Sequence, residues 1–288
     1  MSKSKWIYKN LKNSEFQTLA EQFNVHPAII KILADRGIQG EEAVREYLEA
    51  DISRVSDGSE LTDMQRGVDI VYDAVKAGKY IRIMGDYDVD GVSSTYILYK
   101  GLTGLGAKCD KFIPHRITDG YGLHEPAIRD AYDAGVQVIL TCDNGIAAAN
   151  DVKLAKELGM TVVVTDHHEV PYEIRNFYPT EDNEEANASE ENDGGHEVPY
   201  ETPTEPGDNE DEAGTRHYII PDADAVIDPK RPEDDGVFKE ICGAVVAWKF
   251  MWCLYRKFGK IDEFNNSDFL EVASLGTVCD VMELQHDN

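Results

Sequence analysis

Tyr80-Ile81-Arg82-Ile83-Met84-Gly85-Asp86-Tyr87-Asp88-Val89-Asp90-Gly91 decides the reading of this 288-residue chain. A short β-like run, Tyr80–Met84, breaks off into a glycine, three alternating aspartates and a second glycine, and a helical pattern follows over Val92–Leu102. The same grammar recurs twice. Val136–Cys142 is β-rich and leads into Asp143-Asn144-Gly145, with a helical pattern over Ala147–Leu158. Thr161–Thr165 is β-rich and leads into Asp166-His167-His168. Strands alternating with helices predict parallel strands joined by right-handed crossovers. Near-continuous apolar strands further imply that helices cover both faces. The expected fold is therefore α/β, a doubly wound, mainly parallel sheet.

Upstream, apolar positions recur every three to four residues over Glu15–Phe23, Pro27–Asp35, Glu41–Leu48 and Met64–Ala77, so a helical N-terminal segment, residues 1–78, precedes the sheet. Residues 79–288 read as the α/β domain. Within it, Tyr172 to Gly214 is rich in Glu, Asp, Asn, Pro and Gly and lacks periodicity, and reads as a disordered acidic insertion. Beyond it order resumes with Ala225–Asp228, followed by helices around Ala244–Arg256 and Asp268–Met282.

The formal net charge is −27. Fourteen Asp and Glu with no Lys or Arg lie between Glu181 and Glu212, and without them the charge is still −13. Such a chain gains no long-range attraction for a polyanion, so a nucleic-acid substrate would need local cations. The insertion could instead dock a protein partner. No apolar run reaches the ~18–20 residues of a spanning helix, and Met1–Lys12 is polar without an apolar stretch for export. Cys109, Cys142, Cys242, Cys253 and Cys279 are scattered, as reduced thiols in a cytoplasmic protein would be.

The carboxyl ends of parallel strands share one edge of the sheet, where ligands bind. The three acidic clusters should therefore converge. Separately each has a plain explanation: Asp-x-Asp makes turns and N-caps, Asp-Asn-Gly makes turns, and paired histidines occur in solvated loops. Together they would crowd carboxylates that repel and raise one another's pKa unless cations fill the space. Oxygen ligands with imidazole suit Mn²⁺ or Mg²⁺, and two ions a few ångströms apart suit phosphoryl chemistry.

Gly85–Gly91, Asp143–Gly145, Asp166–His168 and Leu275-Gly276-Thr277-Val278-Cys279-Asp280-Val281-Met282-Glu283-Leu284 resemble the successive motifs of the DHH phosphoesterase superfamily. Ile113–Arg116 with Gly120–Leu123, and Cys242–Ala247, are most similar to its RecJ family of bacterial single-strand-specific DNA exonucleases. The resemblance implies metal ligation by Asp88, Asp90, Asp143, His167 and Asp280, with Asp143 bridging. It implies support from Asp86, orientation of both histidines by Asp166, phosphate contact and charge stabilisation by His168, and a further phosphate contact by Arg116. The implied activity is Mn²⁺- or Mg²⁺-dependent 5′→3′ hydrolysis of single-stranded DNA to nucleoside 5′-monophosphates, in DNA repair and recombination. Short oligoribonucleotides, cyclic dinucleotides or pyrophosphate are alternative substrates in the superfamily. A non-catalytic replication scaffold is the other alternative, against which every acid and both histidines are retained. Two departures matter. Met84 stands where many superfamily members carry a metal-binding histidine, which implies a weaker first metal. RecJ proteins also continue into a second, substrate-gripping domain, which the eight residues after Asp280 cannot hold, so the chain should be catalytically incomplete alone.

Overall fold

The computed structural model describes residues 13–49, 55–118, 120, 122–175 and 215–288. Among them, five parallel strands form one sheet: β1 (Tyr80–Met84), β2 (Lys108–Phe112), β3 (Val138–Thr141), β4 (Thr161–Thr165) and β7 (Ala225–Ile227), in the order β2-β1-β3-β4-β7. The order reverses direction between β1 and β3, the place where open α/β sheets form a crevice. The doubly wound, mainly parallel sheet expected from the sequence is what the chain adopts.

Alternation along the strands explains why both faces are covered. Ile81, Ile83, Val138, Leu140, Val163 and Ile227 point into a core shared with α4 (Met64–Lys76), α5 (Val89–Gly104), α8 (Gly243–Lys257) and α10 (Phe269–Cys279). Met84, Ile139, Val162, Val164 and Val226 point into a second core under α6 (Glu125–Asp133) and α7 (Ala149–Glu157). Each fully buried aliphatic side chain contributes roughly 1.5–3 kcal/mol. Arg82 is the one charge in β1. Its guanidinium donates to Asp110 of β2 at 2.7 Å and to Asp130 of α6 at 2.6 Å, so the charge is paired on the α6 side.

The helical N-terminal stretch divides by packing. α1 (Asn13–Gln22), α2 (Pro27–Asp35) and α3 (Glu41–Leu48) share a small core of Ala20, Ile30, Leu33 and Val44. Met64, Val68 and Val71 of α4 instead join the main core. A short α9 (Ile261–Asn265) links α8 to α10. Two antiparallel strands, β5 (Tyr172–Arg175) and β6 (Thr215–Tyr218), form a separate ribbon. The segment read as an acidic insertion therefore begins as a paired strand, because Tyr172 and Ile174 find partners in Tyr218 and Arg216 that lie far along the chain. Residues 176–214 lie outside the described residues. No helix among the described residues is long and apolar enough to cross a membrane.

One buried ion pair fastens the C-terminal segment. Lys249, in the middle of α8 and 1% exposed, donates to Asp287 at 2.6 Å and to the Ser56 carbonyl at 2.7 Å. Asp287→Ala strands that ammonium, and we expect a loss of about 3–5 kcal/mol in urea denaturation. Pairing the change with Lys249→Met should restore most of the loss, which separates a stranded charge from lost packing.

Candidate metal centre

Each acidic cluster sits where a strand ends at the carboxyl edge. After β1, Asp88 is the N-cap of α5 and accepts the Gly91 amide at 2.8 Å. Capping and metal ligation are compatible at this residue, because one carboxylate has lone pairs for both. Asp90, in the first turn of α5, is 2% exposed and accepts the Gly243 and Ala244 amides at 2.6 and 2.9 Å. These amides open α8, so the positive end of that helix dipole holds Asp90 in place. Asp86 is fully buried; one oxygen accepts the Gly122 amide at 3.4 Å and the other has no protein donor.

Asp143 closes β3 in the left-handed region, at φ 59°, with its amide donating to the Thr165 carbonyl at 3.1 Å. Asp tolerates that conformation better than most residues, and such strain gathers at functional sites. His167 closes the set after β4, with Nε2 3.0 Å from Asp143, 3.5 Å from Asp90 and 3.8 Å from Asp280. Three sets of donor atoms each lie within 4.8 Å of one another: Asp86 with Asp88 and Asp143; Asp90 with His167 and Asp280; Asp143 with His167 and His168. Asp143 belongs to two of them.

Asp280 is placed differently from the sequence reading. It is not inside an apolar helix but caps the end of α10, with its side chain about a third exposed. A carboxylate at the negative end of a helix dipole is unfavourable, and a nearby cation would offset that. Asp166 also differs in one respect. Its carboxylate accepts His168 Nδ1 at 2.7 Å, but from His167 it accepts only the backbone amide, at 2.8 Å. It therefore orients the ring of His168 alone, while the His167 Nδ1 has no protein partner. Arg116 lies exposed with its guanidinium 5.4 Å from the Tyr87 ring centre, beside the first acidic loop.

The electrostatics carry the signature of a cation site. Burial, then the charges of Asp90, Asp88, Asp166 and Asp86, push Asp143 up to about 11. Asp86 and Asp280 are raised, chiefly by burial. His167 is lowered by burial and by His168, which favours the neutral imidazole a metal requires. His168 is raised by its hydrogen bond to Asp166. Oxygen-rich donors with one neutral imidazole fit Mn²⁺ or Mg²⁺.

Residues 80–202 match the DHH family, N-terminal domain. The chain resembles that family over these residues. It is 30% identical over 287 residues to the single-stranded-DNA-specific exonuclease RecJ of Bacillus subtilis (strain 168), covering all of this chain and 30% of that protein. A solved exonuclease RecJ bound to manganese is 26% identical, with a TM-score of 0.57, over 79% of this chain and 46% of that one. RecJ of Thermus thermophilus in complex with Mn²⁺ shares the fold, with a TM-score of 0.63 at 23% identity, over 98% of this chain and 32% of that one. The chain thus spans about a third of the length of the curated relative.

Three features of the centre escape the sequence reading. The amides of Gly243 and Ala244 hold Asp90, and only the fold brings α8 to α5. Asp228 stands buried at the carboxyl end of β7, where the strand-then-acid rule would have found it. Gly276 of α10 leaves room for Asp90: a Cβ there would collide with Asp90 Oδ1 and come within 2.8 Å of the Ala244 Cβ. Gly276→Ala is favourable for an isolated helix by nearly 1 kcal/mol, yet it must displace Asp90. We expect Mn²⁺ affinity to fall about tenfold or more, measured by titration calorimetry, without loss of helix content.

Proposed function

We propose that residues 79–288 form a catalytic domain that holds two divalent cations, Mn²⁺ or Mg²⁺, and hydrolyses single-stranded DNA from its 5′ end to nucleoside 5′-monophosphates. The observation that carries this reading is Asp143, which forms one set of donor atoms with Asp86 and Asp88 and lies 3.0 Å from His167 of the set formed with Asp90 and Asp280, at the switch point of the sheet. Asp86, Asp88 and Asp143 would hold one ion; Asp90, His167, Asp280 and again Asp143 the other. When bound, such a pair supplies a water acidic enough to attack at neutral pH and neutralises the oxygens of an in-line displacement.

The protein's own groups do the rest. Asp166 fixes His168 through Nδ1, so that the partly exposed ring can present a protonated Nε2 to charge developing on the phosphate. The raised affinity of His168 for its proton suits that role. Arg116, resting on Tyr87, supplies a cation for a second phosphate. These local charges would work against the chain's net charge of −27, so affinity for the strand alone should be modest. The named activity of the RecJ relatives, which are single-stranded-DNA-specific exonucleases, supports the substrate class. A cytoplasmic location belongs to the same reading, as does a protein partner for residues 172–214.

The test is incubation with Mn²⁺ and a 5′-labelled single-stranded oligonucleotide. Slow release of labelled mononucleotide is expected, abolished in Asp143→Ala. Equal cleavage by that variant would overturn the site, and a strong preference for very short oligonucleotides would overturn the substrate.

A further inference from the structure

α10 ends in a way its own sequence does not favour. The Val281 amide donates to the Val278 carbonyl at 3.3 Å and the Met282 amide to the Thr277 carbonyl at 3.1 Å. These are the paired bonds of a Schellman end, with Asp280 as the cap and Val281 just after it. The residue after the cap must take the left-handed region, and Val281 has φ 58°. Glycine is usual there because it has no Cβ, whereas a β-branched side chain is strained. Such strain persists only where the surroundings impose it. The side chain of Val281 does not impose it, being 85% exposed. Yet the strained residue is bonded directly to Asp280, whose carboxylate lies 3.8 Å from His167 Nε2.

What imposes the turn is the segment that follows. Met282 packs, half-buried, against the main core. The Asn288 side-chain amide donates to the Glu283 carbonyl at 2.8 Å and to the Glu240 carbonyl at 2.5 Å. Asp287 accepts the Ser56 amide and hydroxyl at 3.1 and 2.8 Å, and the buried Lys249 ammonium at 2.6 Å. Glu240 leads into α8 and Lys249 lies within it. The first amides of that same helix hold Asp90. Asp90 and Asp280, which share one set of donor atoms with His167, are thus both referred to α8.

We propose that Asp287 and Lys249 are positioning residues for Asp280: their ion pair draws the chain back onto α8 and holds Val281 in the strained turn that aims the Asp280 carboxylate at His167. The proposal rests on the metal-centre reading for the role of Asp280, but not for the turn itself.

The test uses the full chain. Lys249→Met with Asp287→Ala removes the anchor without stranding a charge. This double variant should keep its helix content and its cooperative melting, yet bind Mn²⁺ about tenfold or more weakly at one of two sites in titration calorimetry. Val281→Asn accepts the left-handed region without strain. Alone it should change Mn²⁺ affinity by less than about twofold, but added to the double variant it should return most of the lost affinity, a coupling expected only of linked sites. If the double variant does not fold, Asn288→Ala takes its place, since it frees the tail from Glu240 and leaves the buried pair intact; the same loss and rescue are expected on a smaller scale. Unchanged affinity without the anchor, or a loss that Val281→Asn leaves in place, overturns the proposal. Absence of Mn²⁺ binding by the parent overturns the metal reading instead. Hydrogen exchange of the Met282 amide then decides: protection should fall without the anchor and return with Val281→Asn, and protection that does not fall overturns the proposal.

Discussion

Asp143→Asn should cut turnover by on the order of 10³-fold or more, which is about 4 kcal/mol of transition-state stabilisation, and at the same time make the metal-free protein more stable. The two effects share one cause. Asp143 is 1% exposed among Asp86, Asp88, Asp90 and Asp166, and its carboxyl is pushed up to about 11. Its affinity for a proton is thus higher folded than unfolded, where it lies near 4. For an acid shifted in that direction, the associated stability is fully present below the unfolded value and is lost as pH rises towards the folded one. At pH 4 the variant and the parent should therefore unfold at similar temperatures. At pH 8 the Asn variant, which has nothing to ionise, should be ahead by a few kcal/mol, or roughly 5–10 °C for a chain of this size. Asn also tolerates the left-handed backbone at this position, so no strain offsets the gain. Thermal scans without metal across pH 4–8, beside turnover with Mn²⁺, check both halves. A variant less stable than the parent at pH 8 would show that the Asp143 charge is compensated by protein groups and needs no cation.

The complementary prediction concerns the ion itself. Without metal the parent protein should lose stability steadily from about pH 4 upward. Asp143, Asp228, Asp86 and Asp280 are all raised, and His168, raised as well, adds its loss above its ordinary range near 6.5. Mn²⁺ at a hundred times its dissociation constant should restore about 2.7 kcal/mol, or roughly 5–10 °C in melting temperature. The restoration should grow between pH 6 and pH 8, because ion and protons compete for the same oxygens. His167 is already biased towards the neutral form and should contribute little to that slope. Melting curves with Mn²⁺ and with a chelator at several pH values measure this directly. A chelated protein whose stability is flat or rises with pH would contradict a site built around cations.

The parts of the fold legible in the sequence are those where one physical requirement dominates. β1, β3 and β4 are central strands covered on both faces, and they read as apolar runs that end abruptly in acids. β2 escapes such a reading because it is an edge strand: Lys108, Asp110 and Lys111 can stay charged there, with Asp110 tied to Arg82 and Lys111 resting on the Tyr99 ring. α6 escapes it because Glu125-Pro126 opens a helix of only nine residues with three buried positions. The acids of the three turns and His167 follow from strand ends alone. What holds them does not, since Gly243, Ala244 and Gly276 meet Asp90 only once α5, α8 and α10 pack together. Periodicity places Asp280 within its helix, because it cannot tell the last turn from the cap that follows it.

The β5–β6 ribbon has a practical corollary. Arg175 and Thr215 are register partners, so the chain leaves the body and rejoins it across a single strand spacing. Whatever is spliced between those two positions meets the same doorway, whether the native residues, a two-residue turn or a fluorescent tag. Swapping the cargo there should leave the geometry around Asp143 and His167 untouched, which makes this doorway the natural handle for immobilising or labelling the protein.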